Sequence, residues 1–192
     1  MKVTFKQLSE DTLLIEWPDE PNEQTLNEIL SYENAIETNI SEGIVECYPA
    51  YRSLAVSFDA TCLPSSELIE RISNLSINNI PVKSTLWRLP VCYDQAVGAD
   101  LINFAGMKSM SQAQLTEIHC SATYRVHFFG FLPGFMYLSG LDSRLYHPRK
   151  DTPDRRILPG SVAIGGTQTG IYPTTSPGGW HVIGNCPIPL FE

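Results

Sequence analysis

The sequence predicts two unlike halves, a small α+β sandwich followed by a mostly-β barrel or sandwich. Three observations carry this expectation. Up to Leu89, short strand-like runs alternate with segments of helical periodicity. Ten of the 13 glycines then fall between Gly130 and Gly184, among many prolines and short β-rich runs. Pro90 stands between the two textures and marks the boundary, giving expected domains 1–88 and 89–192.

In the first half, Val3 to Leu8 and Leu13 to Trp17 read as strands joined through Glu10-Asp11. Pro18 to Pro21 breaks the chain. Leu26, Ile29, Leu30, Ile36 and Ile40 then recur at helical spacing, with Asn22 as N-cap. Ile44 to Tyr48 and Leu54 to Phe58 are strands; Leu54, Val56 and Phe58 alternate with small residues, so one face is buried. A helix follows Pro64, capped by Ser65 or Ser66, with Leu68, Ile69, Ile72 and Leu75 on its apolar stripe. Ile80 to Leu89 closes the set as a last strand, and the helices pack on one face of an antiparallel sheet.

Beyond Pro90, short helices are expected from Ala99 to Gly106 and from Ser111, where Ser111-Gln112-Ala113-Gln114 has the capping-box pattern. Tyr124 to Phe128 and Ser161 to Ile164 are β-rich runs between dense turns, which argues for all-β architecture.

Composition limits function. The chain has 192 residues, 43% hydrophobic, enough for one sizeable core or two small ones. No apolar run nears the ~20 residues of a membrane helix, and Met1 to Lys6 has no apolar leader, so a cytoplasmic protein is expected. Five cysteines without a CxxC pair argue for reduced, mostly buried thiols rather than a disulfide or zinc framework. A net charge of -8 argues against nucleic acid and anionic membranes. That charge is uneven: residues 121–192 hold 6 Lys+Arg against 4 Asp+Glu, a net of +2. The basic groups bunch at Arg144, Arg149, Lys150, Arg155 and Arg156, as a solvated loop or a local anion site.

Four stretches stand out. Gly130 to Leu141 sets glycines among Phe131, Phe135 and Tyr137, either as an aromatic core or as exposed ring surface. In His147 to Arg156, prolines restrict arginines whose guanidinium forks suit carboxylates and phosphates. Gly160 to Pro173 superficially resembles a phosphate loop, but it lacks the Gly-Lys-Ser/Thr ending and a following helix. Its Gln168 and Thr169 are polar groups on a loop that a ligand can approach closely, and Tyr172 follows them. In Ser176 to Gly184, Trp180 follows two glycines, to stack on a planar ligand or to plug the barrel end. Combining Ser161 or Ser176 with His119, His127, His147 or His181 yields no supported catalytic triad, since no GxSxG elbow exists. No spacing suggests a metal.

In this order the motifs GFxPGFxYLxGL, PRK, GSVAIGGxQTGIYP and SPGGWxxIG resemble a family containing the B component of bacterial ATP-dependent 5-oxoprolinase, the kinase inhibitor KipI and allophanate hydrolase subunit 1. Tyr48 to Leu54 and Leu89 to Tyr93 extend the likeness upstream. The resemblance implies a ferredoxin-like α+β domain and a cyclophilin-like β-barrel. It implies ATP-dependent opening of 5-oxoproline to glutamate, together with a carboxyltransferase-like subunit of the allophanate hydrolase subunit 2 type and a LamB/YcsF-type protein. ATP would be bound by the assembled complex. An inhibitor of a sensor histidine kinase is the alternative role, and a place in a urea or allophanate pathway is a weaker one.

The implied chemistry needs donors for the substrate carboxylate and for phosphoryl oxygens. Arg149, Gln168 and Thr169 suit it, with Arg149 the preferred anion contact; Arg155, Arg156, Tyr172, Trp180, Phe131, Phe135 and His119 complete the candidate set. Three departures stand against the family pattern. Asp154 replaces a second Pro-Arg arginine, Leu158-Pro159-Gly160 shifts a proline, and Asn185-Cys186 replaces Arg-Thr. Members also run on past Phe191-Glu192, so the barrel is expected to lack its last strands and to leave an open edge.

Overall fold

The structure, a computed structural model, describes residues 3–19, 21–40, 42–79 and 84–191. It divides into two compact units, 1–85 and 86–192.

The first unit opens with a hairpin of β1 (Thr4–Ser9) and β2 (Thr12–Glu16), then α1 (Glu23–Asn39), β3 (Ile44–Pro49), β4 (Ser53–Phe58) and α2 (Ser65–Ser73). The strands form one antiparallel sheet in the order β1-β2-β4-β3. Strand alternation supplies the core: Leu13 and Ile15 of β2 and Leu54, Val56 and Phe58 of β4 are buried with Ile29 and Ile36 of α1 and Leu68 and Ile72 of α2.

Asn22 caps α1 as its sequence predicts, its side chain accepting from the Thr25 N–H at 2.9 Å. No serine caps α2. Pro64 holds the cap position, and the Ser65 hydroxyl donates to Gln7 Oε1 at 2.9 Å. Nor is the expected last strand formed. Ser84 to Leu89 makes no strand, and the four-stranded sheet keeps β1 and β3 as its edges; Ile80 to Lys83 lie outside the described residues.

On α1, Glu33 is half-buried one turn before Glu37, and burial, reinforced by Glu37, raises its pKa to about 7. The folded unit therefore holds this proton more tightly than the unfolded chain does. Stability conferred by the protonated form is present at low pH and lost as pH rises through about 7. Urea unfolding of the first unit should give a midpoint that falls from pH 5 to pH 8, and Glu33→Gln should flatten that dependence. An unchanged slope in the variant would refute the assignment.

In the second unit α3 (Leu101–Met107) and α4 (Gln112–Ser121) precede β5 (Arg125–Phe129), β6 (Met136–Ser139), β7 (Asp154–Ile157), β8 (Ser161–Gly165), β9 (Gln168–Ile171), β10 (Ser176–Gly178) and β11 (His181–Asn185). The capping box forms: the Gln114 N–H donates to Ser111 Oγ at 3.2 Å and the Ser111 N–H to Gln114 Oε1 at 2.8 Å. Five strands make an antiparallel sheet ordered β11-β8-β9-β6-β5, while β7 and β10 pair separately.

The mostly-β expectation holds, and the sheet is open rather than closed into a barrel. Among the described residues β11 and β5 are separate edges and do not close the sheet. The sheet is walled on both faces instead. Val162 and Ile164 of β8 pack with Leu101, Phe104 and Leu115 of the helices. Ala163 packs on the other face with Phe135, Ile157, Tyr172, Trp180 and Val182. Every residue of β8 is consequently buried.

The thiols are less buried than composition suggests. Cys47 and Cys186 are buried, but Cys62, Cys92 and Cys120 are exposed, and all five are free. No helix among the described residues is long and apolar enough to cross a membrane.

Candidate functional site

The β8–β9 hairpin sorts its side chains by alternation. Thr169 points to the helical face and Gln168 and Gly170 to the aromatic face. A Cβ on Gly165, the cross-strand partner of Gln168, would sit 2.5 Å from the Trp180 ring, and one on Gly170 would sit 3.0 Å from Phe135. Glycine at both positions lets the indole lie directly on the strand backbones.

Around that indole the rings meet edge to face. Trp180 lies 5.6 Å from Phe135 and 5.9 Å from Tyr137, and Phe135 lies 5.2 Å from Tyr172. Phe128 stacks on Tyr137 at 4.4 Å. Phe131 is 58% exposed and turns its edge to Phe135 and Tyr172. It does so from a left-handed backbone at φ 66°, a conformation strained for a bulky side chain.

The guanidinium of Arg149 stands over Trp180, 5.5 Å from the ring centroid. Burial raises the Tyr137 and Tyr172 pKa values, and the Arg149 charge opposes that rise in both. Among the described residues no carboxylate pairs with Arg149: Asp142 bonds Arg144 through both oxygens, at 2.9 and 2.7 Å.

The segment carrying Arg149 is fixed on both sides. His147 exchanges two backbone hydrogen bonds with Gly166, at 3.0 and 2.7 Å. The Lys150 N–H donates to the Gly179 carbonyl at 2.7 Å, and its ammonium bridges Asp100 at 2.7 Å and Asp154 at 2.5 Å. Asp154 thereby secures the residue next to Arg149.

The predicted residues do not all converge. Arg149, Trp180, Phe131, Phe135, Tyr172 and Gln168 belong to the aromatic face. Arg155 and Arg156 are exposed on β7 and make no ion pair among the described residues. His119 and Thr169 lie on the opposite, helical face. Thr169 gives its hydroxyl proton to the Ala163 carbonyl at 3.0 Å and so accepts from His119 Nε2–H at 3.1 Å. His119 Nδ1 must then accept from the Tyr93 hydroxyl, at 2.6 Å. Burial lowers the His119 pKa to about 4 and keeps the ring neutral. Tyr137 and Phe128 complete the aromatic face, although neither belongs to the candidate set; their places in consecutive paired strands are the signal that marks them.

The carboxyltransferase domain, subdomain C and D, matches residues 3–192. The B component of 5-oxoprolinase from Bacillus subtilis (strain 168) is 33% identical over 206 residues, covering 100% of this chain and 85% of that protein. Its counterpart of the same name from Escherichia coli O157:H7 is 37% identical over 152 residues, covering 78% and 69%. The crystal structure of TTHA0988 superposes with a TM-score of 0.81 at 29% identity, over 94% of this chain. This chain spans 36% of the length of that one.

Proposed function

Since the chain belongs to the family of 5-oxoprolinase B components, within the carboxyltransferase subdomain C and D group, we propose that it is a non-autonomous subunit of an ATP-dependent amide hydrolase that opens 5-oxoproline to L-glutamate. The finer fold reading goes with it: a ferredoxin-like first unit and a cyclophilin-like second. The partners are a carboxyltransferase-like subunit and a LamB/YcsF-type protein.

The observation that carries the reading is Arg149, fixed on an aromatic face with no carboxylate of the described residues to neutralise it. A five-membered lactam with a carboxylate suits that surface, its flat ring against the aromatic edges and its anion on the guanidinium fork. An unstrained lactam is a poor electrophile. Transfer of the ATP γ-phosphoryl group to its oxygen activates the ring carbon; water adds there, the C–N bond breaks with the nitrogen taking a proton and leaving as the amine, and a second water hydrolyses the resulting acyl phosphate to carboxylate and phosphate. The Gly160 to Pro173 stretch is the β8–β9 hairpin and no phosphate loop precedes a helix there, so we assign ATP to the assembled complex.

Reconstitution tests this. Glutamate release from 5-oxoproline and ATP should require this chain together with its two partners, and should disappear when the chain is omitted. Full activity without it, or specific capture of a sensor histidine kinase in place of the carboxyltransferase-like subunit, would overturn the proposal.

A further inference from the structure

We infer that Gln168 is the specificity-determining residue of the aromatic face, its side-chain carbonyl accepting a hydrogen bond from the ring N–H of a small lactam acid. The inference deepens the hydrolase reading and rests on it. Gln168 Oε1 is buried and has no hydrogen-bond partner among the described residues. Buried polar atoms in folded proteins are almost always satisfied, and a donor arriving with a ligand on the aromatic face would satisfy this one.

The register locates this acceptor. Gln168 is directly opposite Gly165, the residue on which the Trp180 indole lies, and the same indole carries Arg149. A cation for the carboxylate and an acceptor for the N–H thus flank one ring. A lactam acid carries those two groups on adjacent atoms of its own ring. Gln168 is an acceptor at this atom whatever the pH, whereas a glutamate there would face the substrate carboxylate with a second negative charge. Thr169, its sequence neighbour, cannot share the task, because its hydroxyl is committed to Ala163 and His119 on the other face of the sheet.

The test uses the reconstituted complex. The probe is the carbocyclic isostere of 5-oxoproline, in which a methylene replaces the ring N–H, assayed as a competitive inhibitor. The wild-type complex should bind it about tenfold more weakly than 5-oxoproline, the weight of one hydrogen bond to a buried acceptor. Gln168→Met, close in shape but lacking the acceptor, should erase most of that difference by weakening 5-oxoproline alone. Because the variant removes an unsatisfied buried group, its melting temperature should hold or rise.

Equal affinity for both compounds in the wild type would overturn the inference while leaving the hydrolase reading intact. A Gln168→Met complex that still discriminates tenfold would do the same, and a lowered melting temperature with unchanged discrimination would make Gln168 structural. Absence of turnover from the complete wild-type complex would instead defeat the underlying hydrolase reading, with 5-oxoproline binding to the complex, measured by calorimetry, still deciding on Gln168.

Discussion

Replacing Trp180 with alanine is expected to cost the second unit roughly 3–5 kcal/mol, the usual effect of emptying a buried aromatic site. The indole is 4% exposed and lies against Gly165 and Gly170, with Phe135 and Tyr137 at its edges. None of these neighbours can collapse into the vacated space. The glycines have no side chain to extend, and the rings are held by one another. Urea unfolding followed by hydrogen exchange of the second unit's strands reads the result. Trp87 is 77% exposed, so Trp87→Ala serves as the control and should change stability by less than about 0.5 kcal/mol. Equal effects from the two substitutions would mean that the aromatic core does not hold this unit together.

Replacing Arg149 with lysine is expected to reduce turnover of 5-oxoproline by the complex about tenfold to a hundredfold, with little change in melting temperature. Lysine keeps the charge and loses the planar fork, so two parallel hydrogen bonds to a carboxylate become one point contact and the stacking on Trp180 is weakened. Little folding energy is at stake, because Arg149 is exposed and has no ion-pair partner among the described residues. Steady-state kinetics and thermal melting on one preparation separate the two roles. A variant that melts early while its folded fraction turns over normally would show that Arg149 is a brace and not a contact.

Acid should act oppositely on the two units. Glu33 gains its proton more readily in the folded first unit, whereas His119 resists protonation in the folded second unit. His119 therefore contributes stability that is present above the unfolded histidine pKa, near 6.5, and is lost as pH falls towards about 4. Between pH 7.5 and pH 5 the first unit should become harder to unfold by urea and the second easier, as followed by residue-resolved hydrogen exchange. Parallel shifts in both units would refute the pair of assignments.

The sequence discloses the first unit well because its strands are half-buried: Leu54, Val56 and Phe58 alternate cleanly, and alternation is a local signal. Caps are equally local, which is why Asn22 and Ser111 are legible. Barrel closure is not local. It depends on which edges meet, and nothing in Ser161 to Ile164 or Tyr124 to Phe128 specifies that. The strand expected at Ile80 to Leu89 fails over its described part for the same kind of reason, since whether a run joins a sheet edge is not written in the run itself. For the site, the motifs point to Arg149, Trp180 and Gln168 but group Thr169 with them, and the candidate set adds His119 from outside the motifs. The period-two rule applied to Gln168-Thr169-Gly170 separates the first two, once the segment is known to be a strand.

The two-sided burial of β8 divides variation within a single strand. Val162 and Ile164 answer to the helices, and a change at either is judged by whether the unit folds. Ala163 and Gly165 answer to the aromatic face, where a side chain on Gly165 would displace the Trp180 indole and with it the ring that carries Arg149. One five-residue strand thus couples two cores, and a change at any of its positions is felt on one wall or the other.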